Sequence, residues 1–237
     1  MPKTHDGKSS RPWSKKGLVA AAAVGGLADG LARRRGAVSR PVFARWYGLL
    51  SRRAERGELG ERRRALLRQA SGRVLDLGAG TGESFEHFPS TVGGVVAMDP
   101  DRAMTRQAQR RLHSAGIPVW LVRAVGERLP FPAGSFDTAV ATLVLCTVAE
   151  PETTTAELHR VLRPGGQLLF MEHVRASEEE LAHWQDRLAR PWSWMNGGCH
   201  PNRRTLEIVQ SAGFRLTAVQ AYGFPILPHV QGTAVRA

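Results

Sequence analysis

The run Val74-Leu75-Asp76-Leu77-Gly78-Ala79-Gly80-Thr81-Gly82-Glu83 joins a stretch of apolar residues to a glycine turn. The apolar positions predict a strand over Arg73–Leu77, and glycines at 78, 80 and 82 let the backbone turn tightly against a ligand. Three uses of such a loop compete. A phosphate-cradling loop needs the pattern GxxxxGK[ST], which is absent. A dinucleotide loop needs glycine at position 83, where Glu83 stands; a carboxylate there repels a pyrophosphate drawn to the same positive helix end. The third use has an acid ahead of the first glycine and glycines at alternating positions, as here. That loop seats S-adenosylmethionine. Asp76 then faces the ammonium of the methionine moiety, and Asp99, 21 residues after Gly78, accepts both ribose hydroxyls.

Outward from this loop, strands and helices alternate. Strands are predicted over Val92–Met98, Val119–Ala124, Phe136–Thr142 and Gln167–Val174, with two more near Phe214–Val219 and Val230–Val235. Helices are predicted near Ser84–Phe88, after the capping residue Asp101, over Glu152–Leu162 and over Thr205–Ala212. Ser177 with Glu180 has the capping-box spacing that opens a further helix, which Pro191 is expected to stop. Ahead of the loop, Phe43, Trp46, Tyr47, Leu49 and Leu50 suggest one amphipathic helix. Leu59 to Ala70 suggests a second, with Arg62, Arg63 and Arg64 outward. The pattern predicts an α/β fold, a doubly wound, mostly parallel seven-stranded sheet of Rossmann-like type with N-terminal helices. Ligands bind such a sheet at the carboxyl ends of its strands.

Charge divides the 237 residues in two. Residues 1–73 hold 18 Lys and Arg against 5 Asp and Glu, whereas the remainder holds 15 against 16, giving +12 overall. Residues 1–40 therefore read as a basic, flexible extension, and 41–237 as the catalytic domain. Gly17–Ala28 is uncharged but lacks the leucines of a secretory core, and nothing approaches the roughly 20 apolar residues of a membrane span. Two cysteines, without CxxC spacing, make no disulfide framework and suit a reducing cytoplasm. The basic arm implies at most weak peripheral contact with an anionic membrane.

The acid-flanked loop with Asp99 resembles that of class I methyltransferases. Glu127-Arg128-Leu129-Pro130-Phe131 resembles their adenine-lining segment, and Arg160 to Gly166 the turn before strand five. Thr142-Leu143-Val144-Leu145-Cys146, Phe170-Met171-Glu172-His173-Val174 and the stretch Trp184–Arg203 resemble the methyltransferase-like alkyl thiol methyltransferases, which are membrane-associated enzymes in animals. The resemblance covers about residues 41–237 and implies S-methylation of small lipophilic thiols. It also implies cofactor contacts from Asp76, Gly78, Ala79, Gly80, Gly82, Asp99, Pro100, Met104, Val125, Gly126, Glu127, Thr142 and Leu143. Two departures stand out. Val125 replaces the acid that commonly binds the adenine amino group, so that recognition shifts to backbone near Gly126 and Glu127. The apolar N-terminal anchor of the animal enzymes is reduced to Gly17–Ala28.

The acceptor must be read elsewhere. Leu143-Val144-Leu145-Cys146 offers an apolar wall and no base, which suits a lipophilic acceptor and disfavours nucleobase nitrogens. His173 is the candidate catalytic base, or else a strand-end residue of structural use; Glu172 either orients it or is solvated. Tyr47, Cys146, His173, Trp192, Cys199 and Arg203 are the candidate acceptor contacts. Trp184, Leu188 and Trp192 share a helical stripe that reads as core or as pocket cover. No metal site is expected, because Cys146 and Cys199 supply two soft ligands where such sites want three; as buried small hydrophobes they need no ion. The expected reaction is S-methylation of a small lipophilic thiol, with phenol, quinone-precursor or lipid-amine acceptors next. An RNA methyltransferase using the basic arm, although nucleic acid is not the expected partner, and a non-catalytic cofactor-binding protein complete the alternatives.

Overall fold

The computed structural model describes Gly48, Ser51, residues 53–224 and residues 227–237. The basic extension 1–40, Tyr47 and nearly all of the helix expected over Phe43–Leu50 lie outside the described residues. The first complete helix, α1 (Glu58–Leu67), leads into β1 (Gly72–Leu77), and a single 3-10 turn at Phe85–His87 follows the glycine loop. Then come β2 (Val92–Met98), α2 (Arg102–Arg111), β3 (Val119–Val122), β4 (Phe136–Thr142), α3 (Pro151–Val161) and β5 (Leu162–His173). The chain ends with α4 (Glu179–Met195), α5 (Thr205–Ser211), β6 (Phe214–Phe224) and β7 (Leu227–Arg236).

The seven strands lie in the order β3-β2-β1-β4-β5-β7-β6. Pairing is parallel from β3 through to β5, whereas β7 runs antiparallel to both β5 and β6. The doubly wound, mostly parallel sheet read from the sequence is the one found. Its order reverses between β1 and β4, so the carboxyl ends of those strands open the crevice where ligands bind.

Side chains alternate across a strand, and each face of the sheet holds its own apolar core. Leu75, Ala139, Ala141, Leu168 and Phe170 share one cluster. Val74, Val140, Leu169 and Met171 share the other with Leu66 and Leu67 of α1. Each such Leu or Phe contributes about 1.5–3 kcal/mol when removed from water. The same alternation sends Asp76, Thr142 and His173 toward the α1 face and Glu172 toward the opposite one.

Two helices depart from the sequence reading. Arg63 is buried, not outward, because it falls in the stripe of Leu59, Leu66 and Leu67 that meets the sheet. Arg62 lies over the ring of Tyr222, which leaves Arg64 as the exposed member of the three. In α4 the N-terminal residue is Glu178 with no side-chain cap, so the Ser177 capping box is not formed. Pro191 sits inside α4, which runs on to Met195. The amide of Asn196 bonds to the Trp192 carbonyl and that of Gly198 to Ser193, closing the final turn beyond the proline. The buried face of α4 is Ala182, Gln185 and Ala189, and Trp184 and Leu188 are about half exposed at 48% and 49%. The stripe of Trp184 and Leu188 therefore lies beside the buried face of α4 rather than on it.

Candidate active site

At the end of β1, Asp76 is completely buried, and neither carboxyl oxygen has a hydrogen-bond donor among the described residues. Ser84 lies near enough to ease its charge without bonding at good geometry. Burial raises its pKa to about 7, against the opposing pull of Arg63. A buried, unpartnered acid is costly unless a ligand completes it, and a cationic group is the ligand it fits. Gly78, Gly80 and Gly82 all adopt left-handed backbone, with φ of 66°, 55° and 85°. A side chain on Gly78 would strike Val144 at 2.3 Å, so the loop after β4 rests directly on the glycine loop. At Gly80 the corresponding space is open.

Asp99 closes this seat from β2. One oxygen accepts from the Gly80 amide at 3.1 Å and the other from the Asp101 amide at 2.8 Å, which fixes the carboxyl and leaves lone pairs for hydroxyl donors. Asp99 keeps one edge open to water, yet the protein around it raises its pKa to about 6, chiefly by burial. Asp101 caps α2 as expected, accepting from Ala103 at 2.6 Å. Met104 is buried on that helix, whereas Pro100 is exposed. Glu83, whose charge excluded a pyrophosphate, is itself buried. It accepts from Ser51 at 2.8 Å and from Thr81, and pairs with Arg111 at 3.3 Å. Glu127 accepts the amides of Ala149 and Glu150, tying the segment after β3 to the one after β4. Gly126 packs against Thr154 and Leu77.

Against this seat packs the loop after β4, where the acceptor contacts are expected. Leu143 takes φ 56°, rare for a branched residue, and its amide bonds to the Met171 carbonyl at 2.7 Å. Glu172, fully buried, accepts the amides of Val144 at 2.9 Å, Leu145 at 2.8 Å and Cys146 at 3.1 Å. Burial pushes its pKa well above the carboxylate range, while those three amides pull it down. Glu172 is therefore neither solvated nor the partner that orients His173. It faces the other side of β5 and holds the acceptor loop. Arg203 donates to the carbonyls of Leu145 and Val148, clamping the same loop from its other edge.

Three sequence-predicted residues meet here. Cys146 Sγ and Cys199 Sγ stand 3.6 Å apart, and His173 Nδ1 lies 3.6 Å from the first and 3.5 Å from the second. Both cysteines are buried free thiols. Their contact and burial push the Cys146 thiol up, while the shared contact lowers that of Cys199. Trp192 lies beside Cys199, with its buried indole N–H unpartnered among the described residues.

Several neighbours were not expected from the sequence. Arg63 donates to Thr142 Oγ1 at 2.6 Å and pairs with Glu55 at 2.9 Å; its spacing from Leu59 and Leu66 was the available signal. The His229 ring packs at a tilt against His173, with 4.2 Å between ring centres, and stacks on Tyr222 at 5.0 Å. Burial, then the nearby His173, lowers the His229 pKa to about 4. Only the antiparallel register of β7, which pairs His173 with His229 and Tyr222 with His229, brings these rings together.

Residues 75–170 match the family model described as a methyltransferase domain. The thiol S-methyltransferase TMT1B of Homo sapiens is 34% identical over 180 residues, covering 70% of this chain and 72% of its own. The thiol S-methyltransferase TMT1A of Homo sapiens is 33% identical over 174 residues, covering 69% and 70%. The chain belongs to this methyltransferase family. An S-adenosylmethionine-dependent methyltransferase from Thermotoga maritima shares the fold, with a TM-score of 0.61 and 20% identity over 83% of this chain and 98% of that one. This member of the thiol S-methyltransferase family is an S-adenosylmethionine-dependent methyltransferase, and its glycine loop, Asp76 and Asp99 fall within the matched residues.

Proposed function

We propose that this enzyme transfers the methyl group of S-adenosylmethionine to the thiol of a small lipophilic molecule. The observation that carries the reading is the convergence of Cys146, Cys199 and His173 beside the apolar loop Leu143–Cys146, in a chain whose relatives are thiol S-methyltransferases. In this reading Asp76 holds the ammonium of the cofactor, Asp99 the ribose hydroxyls, and backbone at Gly78, Ala79, Gly80 and Gly82 the methionine moiety. Pro100, Met104, Val125, Gly126 and Glu127 enclose the adenine, and Thr142 and Leu143 border the sulfonium. When bound, the cofactor supplies an electrophilic methyl group on a positive sulfur. The protein's task is then placement, since an acceptor sulfur held about 3 Å from that methyl gains most of the available rate.

A thiol with a pKa near 8.5 is partly ionised at neutral pH, so His173 has little proton to move for this acceptor class. Trp192 and Cys199 line the acceptor region, and Arg203 acts by fixing the loop rather than by touching the acceptor. No helix among the described residues is long and apolar enough to cross a membrane. We assign the enzyme to the cytoplasm, with residues 1–40 making at most weak, salt-sensitive contact with anionic membranes and with no nucleic-acid partner. The deciding assay supplies labelled S-adenosylmethionine with a panel of alkyl thiols, phenols and lipid amines. Methylation of thiols ahead of the others is expected, and turnover confined to phenols or amines would overturn the reading.

A further inference from the structure

We propose that Cys146, Cys199 and His173 form a binding site for Zn2+, with the fourth coordination position left for the sulfur of the acceptor. The sequence counted two soft ligands and stopped there; the fold adds an imidazole nitrogen aimed at both sulfurs. The three ligand atoms lie within 4.8 Å of one another. Zinc takes Zn–S bonds of about 2.3 Å and Zn–N bonds of about 2.0–2.1 Å, so tetrahedral angles set two sulfurs about 3.8 Å apart and each sulfur about 3.5–3.6 Å from the nitrogen. The observed separations are 3.6 Å between sulfurs and 3.6 and 3.5 Å to Nδ1. Shifts of a few tenths of an ångström suffice to admit the ion. Packing of two thiols as small hydrophobes accounts for their burial. It does not account for the imidazole nitrogen in contact with both.

The three ligands come from separate segments, and each segment is held in place. Glu172 and Arg203 fix the loop that carries Cys146. The His200 amide bonds to the Cys146 carbonyl at 2.7 Å, tying the Cys199 loop to the Cys146 loop. His173 is set by the pairing of β5 with β7 and by its tilted ring contact with His229. A site pre-arranged this way loses little entropy on binding the ion. Structural zinc sites are closed by four protein ligands, whereas three ligands of the Cys2His type leave a position for substrate. Two thiolates neutralise the dication, and the Arg203 guanidinium supplies positive charge beside a third anionic sulfur.

What fills the fourth position rests on the thiol reading. A substrate R–SH would bind by forming a Zn–S bond and losing its proton to solvent, because a coordinated thiol is deprotonated. The bound thiolate then takes the methyl group; a new S–CH3 bond forms as the sulfonium S–CH3 bond breaks, and the electron pair of the broken bond returns to the cofactor sulfur. The resulting thioether is a weaker ligand and leaves.

The test uses the full chain, reduced, stripped with a chelator and titrated with Zn2+ against a chromogenic competitor, and separately with Co2+ as a spectroscopic probe. One tight zinc per chain and a thiolate-to-cobalt charge-transfer band are expected. Cys146→Ser, Cys199→Ser and His173→Gln should each weaken zinc binding by about 10-fold or more, while S-adenosylmethionine still raises the melting temperature and so certifies the fold. Absence of stoichiometric zinc, a cobalt spectrum without the thiolate band, or a folded Cys199→Ser that binds zinc like the parent would each overturn the site. Zinc binding without methylation of any thiol leaves the site standing and sinks the thiol reading. Undiminished thiol methylation by the zinc-free enzyme sinks the site and leaves that reading intact.

Discussion

The carboxyl group of Glu172 accepts the backbone N–H of Leu145 at 2.8 Å, from the strand next to the one that carries Leu145's loop. Both groups are buried, and the amides of Val144 and Cys146 share the same acid. A side chain of β5 thereby dictates the backbone of the acceptor loop, including the strained turn at Leu143. Replacing Glu172 by Ala strands three amides, at about 1–3 kcal/mol for each one left buried. Denaturant unfolding should show a loss of about 3 kcal/mol or more, and folded Glu172→Gln should lose thiol turnover with cofactor affinity largely kept. Unchanged stability in Glu172→Ala would contradict this role.

Asp76 links stability to pH with an unusual sign. Its folded pKa, about 7, exceeds the ordinary aspartate value of 3.8, so between those values the folded state holds a proton that the unfolded state has lost. The ligand-free enzyme therefore loses stability as pH rises through that window, with the penalty complete above about pH 7. Asp76→Asn should melt higher than the parent at pH 8, with the gain vanishing toward pH 4, yet bind S-adenosylmethionine at least about 10-fold more weakly. Thermal scans at several pH values with and without cofactor check both halves.

On the proposed reading, Asp76 and Asp99 together set cofactor affinity. Asp76 and Asp99, with pKa raised to about 7 and about 6, must be ionised to serve an ammonium and hydroxyl donors well. Affinity for S-adenosylmethionine, measured by calorimetry, should climb between pH 5.5 and 7.5. Above about pH 8 the α-amino group of the cofactor itself loses its charge and the gain ends. A flat profile would mean that neither acid contacts the cofactor.

Arg63 spans from α1 to the end of β4, and its charge favours the ionised form of Asp76. Arg63→Met leaves Glu55 without its cation and should cost about 3 kcal/mol in chemical denaturation. It should also shift the pH midpoint of cofactor binding upward, because Asp76 becomes harder to ionise.

Gly78 and Gly80 separate strain from collision. Both have positive φ, but only at Gly78 does an added Cβ meet Val144, at 2.3 Å. Gly80→Ala should cost about 1 kcal/mol from backbone strain, and Gly78→Ala a further 1–3 kcal/mol or so from overpacking. Melting of the two variants side by side decides the ranking.

Much of this enzyme was legible because the informative signals were local. The alternation of apolar strands with helices runs on continuously from Arg73, and the glycines at 78, 80 and 82 lie between the acids at 76 and 99. Parallel β-α units have one hand and one ligand edge, so those residues could be placed without coordinates. Arg63 departs from its expected outward place because Thr142 and Glu55, distant in the chain or beyond one turn, supply the partners its buried charge needs. Trp184 and Leu188 lie off the buried face of α4, which Ala182, Gln185 and Ala189 occupy, although their spacing with Trp192 reads as core or pocket cover.

The sequence by itself determined the fold class and the cofactor, through periodicity and a loop whose chemistry is carried by neighbours in the chain. Tertiary structure alone decided the acceptor side. Cys146, His173 and Cys199 are scattered over three segments, and nothing in their spacing announces a shared point in space. Period-two alternation sends Glu172 and His173 to opposite faces, and antiparallel pairing brings His229 to His173. Such contacts depend on register and crossing geometry, which long-range packing sets and local sequence does not encode.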